Sequence, residues 1–149
     1  MNWNKNKSIF LSQICVILFA LMLLALDLGG WWWTSWFVLA REMRLVSHVY
    51  LLLSLYACSI PAWITLWGLW RLLCNLKANR VFVTDNVAIM RAISRSCLAA
   101  AAICLISSLY YLAFLVLALS SAFMALIVRI VQNAFLQAIR MQDELELTI

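Results

Sequence analysis

The sequence predicts an all-α membrane protein with four transmembrane helices, and three observations carry that prediction. Apolar residues make up 67% of the 149-residue chain and charged residues only 11%, with a mean hydropathy of +1.00. Soluble domains are nearer half apolar and about a quarter charged, so lipid must solvate most of this surface. The apolar residues also fall into long runs, with three glycines and one proline in the whole chain. That suits long helices, and the alternating ten-residue segments of a transmembrane barrel are missing from the sequence.

The net charge of +5 comes from basic residues that flank apolar runs. This reads as a topology signal, not as the clustered basic face that direct nucleic-acid binding requires. Five cysteines (Cys15, Cys58, Cys74, Cys97 and Cys104) form no C-x-x-C pair, and one histidine is too few for a Cys/His metal cluster. No disulfide framework, metal or other cofactor is expected.

A polar start with Lys5 and Lys7 precedes an apolar run over 9–28. The run is too long for a signal peptide and lacks a small-x-small cleavage pattern, so an uncleaved first span is expected. Gly29 and Gly30 read as a chain break, and Trp31, Trp32, Trp33 and Trp36 as an aromatic belt at the headgroup level. Asp27 then falls at the end of the span.

The second apolar run, 45–73, exceeds the roughly 20 residues that a span needs. Pro61 removes one backbone donor and is expected to kink it, freeing the Ala57 carbonyl. Trp63, Trp67 and Trp70 share one helical face, and Arg71 can snorkel beside them. His48 reads as an interfacial residue.

The polar interlude at 75–96 organises the chain. Asn75 and Asn79 suit a helix exit and turn, residues 80–84 read as extended, Thr84 as an N-cap, and Asp85 favours the positive helix end. In the third span, about 89–109, Ala92, Ser96, Ala100, Cys104 and Ser108 recur at every fourth residue. Such a row of small side chains admits another helix, either the fourth span or a second subunit of a homo-oligomer.

From 98 to 139 there is no glycine or proline, yet one helix that long would run about 60 Å, twice the hydrocarbon core. A turn at Ser120–Ser121 would bury Arg129, Gln132 and Asn133 in mid-membrane. A turn at 109–112 instead places Tyr110 and Tyr111 in the aromatic belt, and that is the expected turn. The fourth span then covers about 113–131. An amphipathic helix continues to about 144, and Leu145, Leu147 and Ile149 alternate with polar residues in a strand-like pattern. Four spans put nine of the eleven basic residues on one side and only Arg41 and Arg44 on the other. Both termini and the interlude are therefore expected to face the cytoplasm.

The segment R-V-F-V-T-D-N at 80–86, with its basic helix start, resembles the F-T-x-x-N signature of a bacterial family of small four-helix membrane proteins of unknown function. The terminal D-E-L-E-L-T-I resembles that family's acidic ending. By this resemblance Phe82, Thr84, Asn86 and Arg91 match the first motif, and Glu144, Leu147, Thr148 and Ile149 the second. Asn79 departs from the pattern, standing where a glycine is expected. Members are often encoded beside a small helix-turn-helix regulator, which implies a link to transcriptional control.

Both motifs are expected to be extended and cytoplasmic, with 80–84 and 145–149 forming a two-stranded patch supported by the amphipathic helix. Together with Asp85 these motif residues are the partner-binding candidates. The sequence reads as a single non-enzymatic domain over 1–149, a regulator or anchor that binds lipid and a cytoplasmic protein. An alternative is a small oligomeric transporter or channel subunit, which has no carboxylate in mid-span to support it. No nucleophile–base pair suggests catalysis.

Overall fold

The computed structural model describes residues 3–40, 45–78, 80 and 83–148. Four helices follow in order: α1 (Trp3–Ala40), α2 (Leu45–Lys77), α3 (Thr84–Ser107) and α4 (Ala113–Leu147). Each is long and apolar enough to cross a membrane. Among the described residues, backbones approach within 8 Å only between helices consecutive in the chain, so α1 to α4 form an up-and-down row. Most large apolar side chains point outward, as expected where lipid replaces a protein core.

α1 runs unbroken through Gly29 and Gly30, contrary to the chain break that the glycine pair suggested. In a bilayer a broken helix leaves backbone groups with no water to pair them, so the helix continues. The glycines serve packing instead. A Cβ at Gly30 would stand 2.9 Å from Leu55 Cδ2 and 3.2 Å from the Tyr56 hydroxyl, so its bareness lets α2 approach. Asp27 consequently lies inside a helix that continues to Ala40, not at the end of a span. α2 likewise passes through Pro61 as one helix, and Thr65 Oγ1 donates to the Pro61 carbonyl at 2.8 Å.

A column of side-chain contacts fixes the register of α2 on α3. Ser54 and Ser107 share a hydrogen bond at 2.8 Å, and the Cys58 and Cys104 sulfurs meet at 3.7 Å. Farther along, Thr65 and Ser96 bond at 2.7 Å, and Asn75 Nδ2 donates to Asn86 Oδ1 at 2.7 Å. Each contact advances on α2 by as much as it retreats on α3 to within one residue, so all four belong to one antiparallel alignment. Gly68 sits inside this seam: a Cβ there would stand 2.7 Å from Ile93 Cγ1.

The chain reverses between α3 and α4 over 108–112, where Tyr110 stacks on Tyr50 and Tyr111 meets Phe37 edge-on. α4 buries Ala118, Ala125 and Gln132, spaced seven apart on one stripe, and Ser94 Oγ donates to the Ala125 carbonyl at 3.0 Å. From that bond the antiparallel register sets the start of α3 opposite residue 135 or so of α4. The remainder of α4 runs on past α3, and from Met141 to Thr148 every residue is exposed.

The expected two-stranded patch does not form. Residues 145–147 belong to α4, and Thr148 Oγ1 donates back to the Glu144 carbonyl, closing the last turn. A helix pairs its own backbone, whereas an isolated strand pair is marginal in water. Val81, Phe82 and Ile149 lie outside the described residues.

Gly68→Val is expected to overpack the α2–α3 seam by roughly 1–3 kcal/mol. The readout is a lower thermal unfolding midpoint in mild detergent, and adding Ile93→Ala is expected to recover part of the loss. A midpoint unchanged by Gly68→Val would show that the seam tolerates a wider α2.

Candidate functional site

The end of the row that carries the interlude gathers most of the residues singled out by the sequence. α2 ends at Lys77, and Ala78 N bonds the Cys74 carbonyl at 3.1 Å while Arg80 N bonds the Asn75 carbonyl at 3.0 Å. The chain then enters α3 through Val83, whose extended backbone (φ −121°, ψ 140°) occupies the N-cap position. Thr84 is thus the first helical residue and not the cap, a shift of one residue. The Asn86 N–H bonds the Val83 carbonyl at 3.0 Å, so the first turn closes one position early, and no side chain caps it.

Asn86 closes the interlude. Its side chain is fully buried; Oδ1 accepts from Asn75 at the end of α2, and Nδ2 donates to the Arg80 carbonyl at 2.8 Å. One amide therefore ties the exit of α2, the connection and the start of α3 together. A buried amide supplies both a donor and an acceptor here, which no apolar residue of that size does.

The other motif residues lie apart from it. Thr84, Asp85 and Arg91 are exposed on α3, and Glu144, Leu147 and Thr148 are exposed at the end of α4. Phe82 and Ile149 lie outside the described residues. Of the small residues on α3, Ser96 and Cys104 are buried against α2, Ala100 and Ser108 are half-buried, and Ala92 is exposed. A four-residue repeat drifts about 40° around a helix per step, so the ends of such a row turn away from the partner its middle touches. The Ala118–Ala125–Gln132 stripe escaped sequence reading; its seven-residue spacing is the signal that finds it.

Two polar groupings lie between α1 and α2. His48 is buried, with Nε2 at 3.0 Å from Thr34 Oγ1 and 3.1 Å from Ser35 Oγ, and the Trp31 ring edge-on to it. Thr34 and Ser35 each direct their proton to a backbone carbonyl, of Gly30 and Trp31 respectively, at 2.6 Å. Through these two contacts the histidine clamps α2 to α1. Nearer the middle of α1, Asp27 Oδ2 accepts from Trp63 Nε1 at 2.9 Å, while its buried Oδ1 has no hydrogen-bond partner. Trp63, Trp67 and Trp70 line an apolar groove of about 640 Å³ with Ile17, Leu21 and Leu24 of α1. Among the described residues, no three His, Cys, Asp or Glu side chains are placed to hold a metal ion.

A cleft of about 520 Å³ lies between α3 and α4. It is lined by Arg91, Ser94 and Arg95 from α3 and by Arg129, Gln132 and Asn133 from α4, above Leu98 and Leu126.

Four apolar spans in an up-and-down row define a multi-pass helical membrane protein. Residues 33–149 match the family described as protein of unknown function DUF2975, and the chain belongs to that family. Neither the curated proteins nor the solved structures contain a match to the chain.

Asn86→Leu is expected to strand the Asn75 amide and the Arg80 carbonyl at a cost of roughly 2–4 kcal/mol. Hydrogen exchange in detergent should then rise across 75–86 while the α3–α4 segment keeps its protection. Equal protection in the variant would remove Asn86 from the role of tie.

Proposed function

We propose that the protein is a non-enzymatic regulator or anchor of the bacterial cytoplasmic membrane that holds a soluble partner at its cytoplasmic face. The basic residues flanking the spans favour an orientation with both termini and the interlude inside. The observation that carries the reading is the free end of α4. Past the start of α3, residues 141–148 are wholly exposed and combine Met141, Leu145 and Leu147 with Asp143, Glu144 and Glu146.

Met141 and Leu145, one turn apart on a projecting helix with carboxylates on its other sides, suit helix-in-groove recognition. The carboxylates also select a basic partner. A small helix-turn-helix regulator is such a protein, because it carries cationic side chains for the phosphates of DNA. Thr84, Asp85 and Arg91 at the start of α3 contribute exposed polar groups on the same face, and Asn86 holds that segment in place.

A transporter or channel subunit is the second reading, favoured by one observation: the Asp27 carboxylate sits within α1 with one oxygen unpaired. An ionisable group inside a span is the usual mark of an ion or proton path. On this reading Asp27→Asn abolishes flux of protons or cations in reconstituted vesicles. On the anchor reading neither protein conducts.

The anchor reading is tested by mild-detergent purification of the tagged protein from its native host, beside a version ending at Asp143. A soluble regulator that accompanies the full chain and is lost with the tail is the expected result. Retention of the partner by the shortened chain would place the docking surface elsewhere, and recovery of none from the full chain would remove the reading.

A further inference from the structure

We infer that the cleft between α3 and α4 is a binding site for a phosphate anion, most directly the headgroup of an anionic phospholipid. The sequence places Arg91 and Arg95 one helical turn apart on α3, and Arg129 and Asn133 one turn apart on α4. Residues four apart on a helix share a face. The bond from Ser94 to the Ala125 carbonyl then sets the two faces against each other, with Arg91 at the level of Arg129. Three guanidinium groups thus border one cleft of about 520 Å³.

Nothing within the described protein neutralises them. Among the described residues none of the three arginines lies in a salt bridge, and the cleft lining contains no carboxylate. Like charges gathered at the edge of a low-dielectric slab repel one another, and an anion in the cleft reverses the sign of that interaction. Guanidinium groups bind phosphate through paired N–H donors, which makes arginine well suited to this task.

Gln132 is the second, independent observation. It is the third residue of the buried α4 stripe, following Ala118 and Ala125. Only 8% of its surface is exposed, its amide makes no hydrogen bond among the described residues, and it lines the cleft. An amide that no protein group pairs is free to bond a ligand oxygen in the cleft. Leu98 and Leu126 form the apolar part of the wall, a surface that suits the first carbons of an acyl chain more than a fully hydrated solute. Basic pockets between spans on the cytoplasmic side fit anionic headgroups for these reasons. The inference stands independently of the protein partner proposed for α4.

The test uses the full-length purified protein in mild detergent, titrated with short-chain phosphatidylglycerol, short-chain phosphatidylcholine and inorganic phosphate. Phosphatidylglycerol is expected to bind and phosphatidylcholine to bind far more weakly. Arg91→Gln with Arg129→Gln is expected to weaken phosphatidylglycerol binding at least tenfold, on the order of fivefold for each charge. Arg71→Gln, a basic residue at the same end but outside the cleft, should leave binding unchanged. Saturable binding of inorganic phosphate with the same dependence on Arg91 and Arg129 would support the site and identify a soluble phosphate compound as its ligand. Equal binding of both lipids, equal loss on Arg71→Gln, or no binding of any probe would overturn it. Should the double variant fail to fold, a photoactivatable phosphatidylglycerol on the unaltered protein decides the matter. Adducts confined to 91–98 and 122–133 support the site, and adducts elsewhere overturn it.

Discussion

Inside a bilayer each peptide N–H and C=O must find its partner within the protein, and an α-helix finds them all within one segment. That constraint explains the features of this chain that local rules misjudge. A glycine pair that would end a helix in water leaves α1 continuous from Trp3 to Ala40, and Pro61 leaves α2 continuous from Leu45 to Lys77. Hydroxyls obey it too: Thr65, Ser107 and Ser120 each donate to the carbonyl four residues back. A serine in a span thereby keeps its proton satisfied while leaving its oxygen available to a neighbouring helix.

That availability is what the α2–α3 seam uses. Apolar contact alone does not distinguish helix from lipid, since acyl chains are as apolar as leucine, so polar rungs and close backbone approach decide which helices associate and in what register. Ser54 with Ser107, Thr65 with Ser96, and Asn75 with Asn86 provide the rungs, and Gly68 the close approach. The seam ends at the Asn86 amide, which orders the interlude. The α1–α2 pairing is made differently, by the His48 clamp at one end and the Asp27–Trp63 bond within the span. α3 and α4 meet through alanines instead, and the arginine-lined cleft lies between them beside Ala125 and Gln132.

The functional reading therefore concentrates at one end of the molecule. The interlude, the cleft and the projecting part of α4 lie there together, while the opposite end is occupied by tyrosine and tryptophan contacts around the 108–112 reversal. An acidic and apolar helix end beside a basic cleft gives two surfaces of opposite sign on the same side of the membrane, suited to different ligands.

Four spans, the reversal at 108–112 and the grouping of basic residues were legible in the chain because each follows from one-dimensional quantities: the length of apolar runs against bilayer thickness, and the cost of placing Arg129 in hydrocarbon. The family resemblance drawn from two short motifs was legible for the same reason. What the motifs do was not. Asn86 reads as one more polar residue near a helix start, and only the approach of α2 to α3 encloses it between Asn75 and Arg80. The terminal alternation reads as a strand, yet residues 145–147 pair their backbone within α4 as helix. Arg91, Arg95 and Arg129 read as residues flanking two separate spans, and they converge on one cleft because Ser94 and the small α4 stripe set the rotation of α4 on α3. Residue spacing determines which side chains share a helix face; only the packing of one helix on the next decides what that face meets.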